Sequence, residues 1–327
     1  MIKNKKRYLT GLAVALLSCS NLYAQSQEVT SSLTSFKIIP LGVKGGLDES
    51  NLSAYMIAPA ESENYICADA GTIRHGIDIA IANKLFTEPA EDVLKNKIKG
   101  YLVSHPHLDH VAGLIMNSPD DSPKSIYGFT SVIEVLRDKY FTWKAWANFT
   151  NEGELPRLNK YTYSYLTEGL KKPLANTEME VTPFSLSHGP DYQSTAFLIS
   201  HKSAALLYLG DTGADEIEKN QRLGDLWKHV APLISKGELK AIFIETSFVN
   251  AQPENLLFGH LNPRLLMVEL NKLAKLTGID ALQKVTIVIT HTKTFGKQEK
   301  ELSDELEKSN NLQLKLVYAE QGKMLKF

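Results

Sequence analysis

Three imidazoles and one carboxylate fall within six residues of the segment Ser104-His105-Pro106-His107-Leu108-Asp109-His110. As core packing, each of these groups would need its own polar partner, so their density points to a ligand. The segment ends a mostly apolar run, residues 98–103, that reads as a buried strand. Alternate residues of an extended chain project to one side, so His105 and His107 can grip one cation. Past the turn, Asp109 and His110 point differently and can reach a second cation nearby. A helical apolar face of Val111, Leu114 and Ile115 follows, with Asp109 placed to cap it. Nitrogen and oxygen ligands at a strand end suit an open catalytic site better than a closed structural one. The chain has two cysteines, Cys19 and Cys67, so a thiolate cluster is excluded and any metal must be held by His, Asp or Glu.

The elements that must position this cluster recur along the chain. Residues 36–41, 54–58, 65–68 and 98–103 read as strands of one sheet. A second series follows at 180–185, 195–200, 204–209, 241–245, 285–290 and 314–319, with His201-Lys202-Ser203 as a hairpin turn. Helical patterns lie at 76–85, 132–140, 225–235, 263–276 and 297–307. Two groups of strands with helices between them predict an α/β fold of two sheets packed face to face, helices outside. Residues 142–172 fit no period and are rich in aromatics, including Trp143, Trp146, Phe149, Tyr161, Tyr163 and Tyr165. They read as an edge packed on the core or, alternatively, as a wall of the active site. Cys67, in an apolar stretch, reads as a small buried hydrophobe.

The histidine segment resembles the signature of the metallo-β-lactamase superfamily, and the rest of the chain resembles that family in order. Asp69-Ala70-Gly71-Thr72 follows a strand, His188 closes the run 181–187, Asp211 sits in Leu209-Gly210-Asp211-Thr212-Gly213, and His291 ends Ile287-Val288-Ile289-Thr290. The continuation Gly113-Leu114-Ile115-Met116-Asn117-Ser118-Pro119 is similar to that of class II cyclic nucleotide phosphodiesterases. So are Phe184-Ser185-Leu186-Ser187-His188-Gly189, Lys240-Ala241-Ile242-Phe243-Ile244-Glu245-Thr246-Ser247-Phe248 and Leu257-Phe258-Gly259-His260-Leu261-Asn262-Pro263. The resemblance covers roughly residues 36–295.

The resemblance implies a four-layer αββα metallo-β-lactamase-like sandwich. It places His105, His107 and His188 on one metal, Asp109, His110 and His291 on another, and Asp211 between them. Asp69 is implied to orient a ligand or the Asp109 loop. The implied cofactors are two divalent ions; a His/Asp set without Cys suits Zn²⁺, with Mn²⁺ or Fe²⁺ as alternatives. Such a pair, roughly 3.5–4 Å apart, holds a hydroxide that would attack the phosphorus of a 3′,5′-cyclic nucleotide and yield the nucleoside 5′-monophosphate. Cyclic AMP is the implied substrate, with cyclic GMP as a second candidate. Asp109, Asp211 and His260 are the residues expected to act in catalysis, His260 as proton donor or phosphate contact. Trp143, Trp146, Phe149 and Tyr192 are candidates for stacking on the base. His75, His201 and His229 match no ligand position and read as surface or capping residues; Lys293, close behind His291, reads as a solvated lysine, with a phosphate contact as the alternative. The alternatives are a superfamily hydrolase of another ester, lactone, thioester or lactam, and a non-catalytic nucleotide-binding protein.

The first residues carry a different message. Lys3, Lys5, Lys6 and Arg7 form a basic head, an apolar run covers residues 9–17, and small or polar residues follow to Ala24. That order predicts a secretory signal over residues 1–24, leaving a single domain over 25–327 whose first residues, to 35, form a polar tether. The run is too short for a bilayer core of about 30 Å, which needs roughly 20 residues. Leu16-Leu17-Ser18-Cys19 offers the alternative of a lipoprotein signal ending before an acylated Cys19. A periplasmic or secreted location is expected, an outer-membrane lipoprotein being the alternative, and membrane attachment only through Cys19. Formal net charge is −1, and loss of four positive and no negative charges with residues 1–24 makes it −5. That balance excludes a general nucleic-acid binder.

Overall fold

The computed structural model describes residue 1 and residues 35–327; the expected signal, Cys19 and the tether as far as residue 34 lie outside them. The first sheet is built from β1 (Phe36–Gly42), β2 (Ala54–Pro59), β3 (Tyr65–Ala68), β4 (Ile98–Leu102), β5 (Lys124–Gly128) and β6 (Tyr161–Tyr165). The second takes β7 (Lys172–Leu174), β8 (Met179–Ser187), β9 (Gln193–His201), β10 (Ala204–Leu209), β11 (Leu239–Glu245), β12 (Thr286–Thr290) and β13 (Lys315–Tyr318). The chain then returns to the first sheet as β14 (Leu325–Lys326), giving the orders β14-β1-β2-β3-β4-β5-β6 and β13-β12-β11-β10-β9-β8-β7.

Both sheets follow one pattern. Pairing is antiparallel up to β3 in the first and from β7 to β10 in the second, and parallel beyond. Parallel strands need crossovers, and the helices supply them: α1 (Arg74–Ala82), α2 (Ala90–Asn96), α3 (Leu108–Asn117) and α4 (Thr130–Val135) on the first sheet. On the second lie α5 (Asp215–Glu218), α6 (Arg222–Ser235), α7 (Pro263–Thr277), α8 (Ile279–Leu282) and α9 (Lys297–Ser309).

Three apolar layers hold the four structural layers together. Tyr55, Ile57, Leu102, Phe197, Leu206 and Phe243 pack between the sheets. Ile77, Val93, Val111 and Leu114 cover the outer face of the first, and Trp227, Val230, Leu266 and Leu270 that of the second. Strands buried on both faces read as continuous apolar runs, which is why β4, β11 and β12 were visible in the sequence. Short or edge strands (β5, β6, β7, β14) and the short α2 carry no such run. The aromatic region is an edge packed on the core: Tyr161 and Tyr163 are buried, Trp146 and Phe149 lie half-buried on the outer layer, and Trp146 Nε1 donates to Ser118 Oγ.

A buried polar knot lies in the same half. Asp121 accepts from the hydroxyls of Tyr101 (2.6 Å) and Tyr161 (2.8 Å) and pairs with Lys124. Burial pulls the Lys124 ammonium below its ordinary range, with Asp121 opposing.

Candidate metal centre and active site

Asp69 and the seven ligand candidates lie at one edge of the sandwich, where strands end by their carboxyl termini. Asp69 follows β3, His105 and His107 follow β4, and Asp109 and His110 occupy the first turn of α3. From the other sheet come His188 after β8, Asp211 after β10 and His291 after β12. Asp69 and His291 leave their strands in the left-handed region, at φ +53° and +52°. Such a backbone costs on the order of 1–3 kcal/mol and persists only where the surroundings fix it. The loops press close: a Cβ on Gly45 would run into the His291 ring.

Two donor sets result. His105, His107 and His188 form one; Asp109, His110, Asp211 and His291 form the other, the ligand atoms of each lying within 4.8 Å of one another. In the first, His105 Nε2 and His107 Nδ1 are 3.0 Å apart. In the second, His110 Nε2 lies 3.1 Å from His291 Nε2 and 3.3 Å from Asp211 Oδ1, and Asp109 Oδ2 is 3.2 Å from His291 Nε2. Asp211 joins the sets, its Oδ2 standing 3.7 Å from Nε2 of both His105 and His188 and 3.2 Å from that of His291.

Partners on the far side of each ring decide which nitrogen faces inward. His110 Nδ1 donates to Asp69 Oδ2 at 2.8 Å, and His188 Nδ1 to the Gly259 carbonyl at 2.9 Å. His105 Nδ1 donates to Ser104 Oγ (3.0 Å), which donates in turn to Asp69 Oδ2 (2.8 Å). Ser104 N and the Tyr208 hydroxyl also bind the Asp69 carboxylate at 2.8 Å. His291 Nδ1 donates to Ser247 Oγ at 3.1 Å. These four rings therefore turn Nε2 inward, the usual outcome when the outer N–H is tied to a carboxylate, carbonyl or hydroxyl, whereas His107 faces His105 with Nδ1.

Acceptors crowded this closely require a cation among them. Without a metal that cation is a proton. His110 is raised well above the ordinary imidazole range: burial opposes the shift, but Asp211, Asp69 and Asp109 overcome it. His105 is driven well below by burial and the charge of His110, and His107 to about 4 by burial and His188. Asp211 is buried, which would raise it, yet His291, His110 and His105 hold it well below the carboxylate range. A nitrogen-only pocket beside a nitrogen–oxygen pocket, with no sulfur, fits divalent transition metals. The clustered His and Asp residues form a candidate metal-binding site.

Asp109 does not cap α3 as expected. His107 occupies the N-cap, and the Asp109 carboxylate instead accepts from Gly46 N (2.8 Å) and faces His291. The cap of α7 comes from Asn262, whose side chain accepts from Leu265 N at 3.0 Å. His260, just before it, is 3% exposed and donates from Nδ1 to Glu245 Oε1 at 2.7 Å. Its ring stands 4.7 Å from that of His188 and 5.3 Å from that of His291, centroid to centroid, so it borders both donor sets. Two further triads, His188–Asp211–His260 and Glu245–His260–His291, overlap the site. Nδ1 of His260 is already engaged by Glu245, which favours a hydrogen-bonded role over a ligating one.

Glu245 is a residue of the cluster to which the sequence reading assigned no role. It is fully buried and ends β11, and the signal was there: a charge closing an apolar run, as at Asp69. Of the aromatic candidates for the base, Tyr192 alone reaches the cluster, stacked on His107 at 4.7 Å and 8°. His201 caps the Glu178 carbonyl, His229 packs on Phe184, and His75 is exposed, all away from the site. Cys67 is buried, with Sγ 3.0 Å from the Asp69 carbonyl.

Comparison with known proteins bears on the family and the fold. A family model described as cAMP phosphodiesterases class-II matches residues 87–322. A 3′,5′-cyclic-nucleotide phosphodiesterase of Aliivibrio fischeri is 38% identical over the whole of both chains. The crystal structure of unliganded yeast PDE1 superposes with a TM-score of 0.80 at 23% identity, covering 90% of this chain and 100% of that one. The metallo-β-lactamase fold protein YhfI from Bacillus subtilis follows at TM-score 0.60 and 18% identity, covering 89% and 99%. The fold is thus the metallo-β-lactamase sandwich, and the chain belongs to the class II cyclic nucleotide phosphodiesterase family.

Proposed function

We propose that this phosphodiesterase binds two divalent ions, Zn²⁺ in the first place, and opens 3′,5′-cyclic AMP and cyclic GMP to the nucleoside 5′-monophosphates. The observation that carries the reading is Asp211, one buried carboxylate within 3.7 Å of ligand atoms in both donor sets. His105, His107 and His188 would hold one ion and Asp109, His110 and His291 the other. Bound there, the ions would supply charge neutralisation at the phosphoryl oxygens and a water acidic enough to attack at neutral pH.

The protein's own groups do the rest. Asp109, the less buried of the two carboxylates at 15% side-chain exposure against 3% for Asp211, accepts a hydrogen bond from the attacking water. The bond from phosphorus to the 3′-oxygen breaks opposite the attack, and that oxygen takes a proton from His260 Nε2, the nitrogen left free by Glu245. Glu245 supports this role: it raises the imidazole pKa against the effect of burial. Tyr192, one face on His107, offers the other to a purine. Residues 1–24 support export to the periplasm or beyond, with acylation at Cys19 as the variant form.

The test is turnover of both cyclic nucleotides by purified protein, with elemental analysis. The reading expects two metal equivalents, a 5′-monophosphate product, and loss of activity on chelation and in His107→Ala. A 3′-monophosphate product, or full turnover with one equivalent, would contradict it.

A further inference from the structure

We infer that Ser247 is a positioning residue whose hydroxyl couples His291 to the Glu245 carboxylate, and through it to His260. The inference rests on the metal-binding reading above. Ser247 is fully buried, and its Oγ lies 2.6 Å from Glu245 Oε2, 2.9 Å from the His291 carbonyl, 3.1 Å from His291 Nδ1 and 3.3 Å from His260 Nδ1. A hydroxyl has one proton to give. The shortest contact is to a charged acceptor, where hydrogen bonds are roughly twice as strong as between neutral groups, so the proton goes to Glu245. The oxygen lone pairs then face His291 Nδ1, which must donate, and this leaves Nε2 of His291 bare toward Asp109 and Asp211. His260 gives its own Nδ1 proton to the nearer Glu245 Oε1.

Backbone bonds fix the hydroxyl in this place. Ser247 N donates to the Leu261 carbonyl at 3.0 Å, and Lys293 N donates to the Ser247 carbonyl at 2.9 Å. The residue is therefore clamped between the loop carrying His260 and the loop carrying His291. Glu245 reaches a third loop, accepting from Thr212 N, next to Asp211, at 3.0 Å. The neighbouring Thr246 cannot substitute, since its hydroxyl donates to the Glu245 backbone carbonyl. Without the Ser247 oxygen, His291 Nδ1 loses its side-chain acceptor, and a proton on Nε2 competes with the metal.

The experiment measures Zn²⁺ binding by competition with a chromophoric chelator for the wild type, Ser247→Ala, Ser247→Thr and Glu245→Gln, with the metal-free melting temperature of each. In Ser247→Ala one of the two equivalents weakens about 10–100-fold while the other stays within a few-fold. Ser247→Thr, which keeps the hydroxyl, restores the wild-type value. Glu245→Gln, which keeps the side-chain volume, weakens the same equivalent and serves as the readout should Ser247→Ala not fold. Wild-type affinity for both equivalents in folded Ser247→Ala, or equal weakening of both with a lowered melting temperature, would overturn the inference. A wild type that binds no Zn²⁺ would remove the metal-binding reading itself.

Discussion

Asp69 and Glu245 are fully buried carboxylates at the carboxyl end of a strand, one in each sheet, and each reaches a histidine both directly and through a serine hydroxyl. Asp69 holds His110 directly and His105 through Ser104; Glu245 holds His260 directly and His291 through Ser247. The difference lies in what the directly held ring does next. His110 turns Nε2 into the second donor set, 3.3 Å from Asp211. His260 lies beside the sets, and Glu245 raises its pKa against the effect of burial. On the proposed reading, one device serves a metal ligand in the first half and a proton donor in the second.

The largest effect expected is at Asp211, where the halves meet. Asp211→Asn removes charge from both donor sets and should lower kcat by about 10³-fold or more, with loss of metal, checked by steady-state kinetics and elemental analysis. Asp121 gives the contrasting case of a buried carboxylate that holds two tyrosine hydroxyls and a lysine but no imidazole. Lys124→Met leaves it unpaired and should cost about 3–5 kcal/mol in denaturant unfolding, while kcat per folded molecule stays unchanged. A loss of kcat at saturating metal would mean that the first half couples to the site beyond Asp69. Asp69→Asn should weaken metal binding by about 10–100-fold, checked by chelator competition.

The pH profile separates the halves further. A proton donor must be charged, so kcat is lost as pH rises through the pKa of His260. Glu245→Gln removes the anion that raises this pKa, so the alkaline limb moves to lower pH; Asp69→Asn should leave it in place. The smallest effect is expected at Tyr192, where Tyr192→Leu should raise KM for cyclic AMP about tenfold with little change in kcat, as the loss of one stacking face implies.

The same comparison explains what the sequence made legible. His105, His107, Asp109 and His110 are contiguous, so their spacing alone suggested a cation. Asp69, Asp211 and His291 each close a strand that reads as an apolar run, His188 closes a strand-like run of mixed residues, and the family resemblance placed them in order. The capping role given to Asp109 failed because its partners, Gly46 and His291, are remote in sequence. The role of Glu245 was hidden for the same reason: Thr212 and His260 meet it only after β10 and β11 pair in parallel. Tyr192 could not be ranked above Trp146 or Phe149, since no local pattern distinguishes an aromatic on a site loop from one on an outer layer.

The most direct test of the division between the halves is the response of His260→Ala to the leaving group. Cyclic AMP needs its 3′-oxygen protonated; a p-nitrophenyl phosphodiester, whose leaving group is already a weak base, does not. In fully metallated His260→Ala, turnover of cyclic AMP should fall by about 10²–10⁴-fold, while that of the activated diester falls by less than about tenfold. An equal fall for both substrates would contradict the account and place His260 with the ligands.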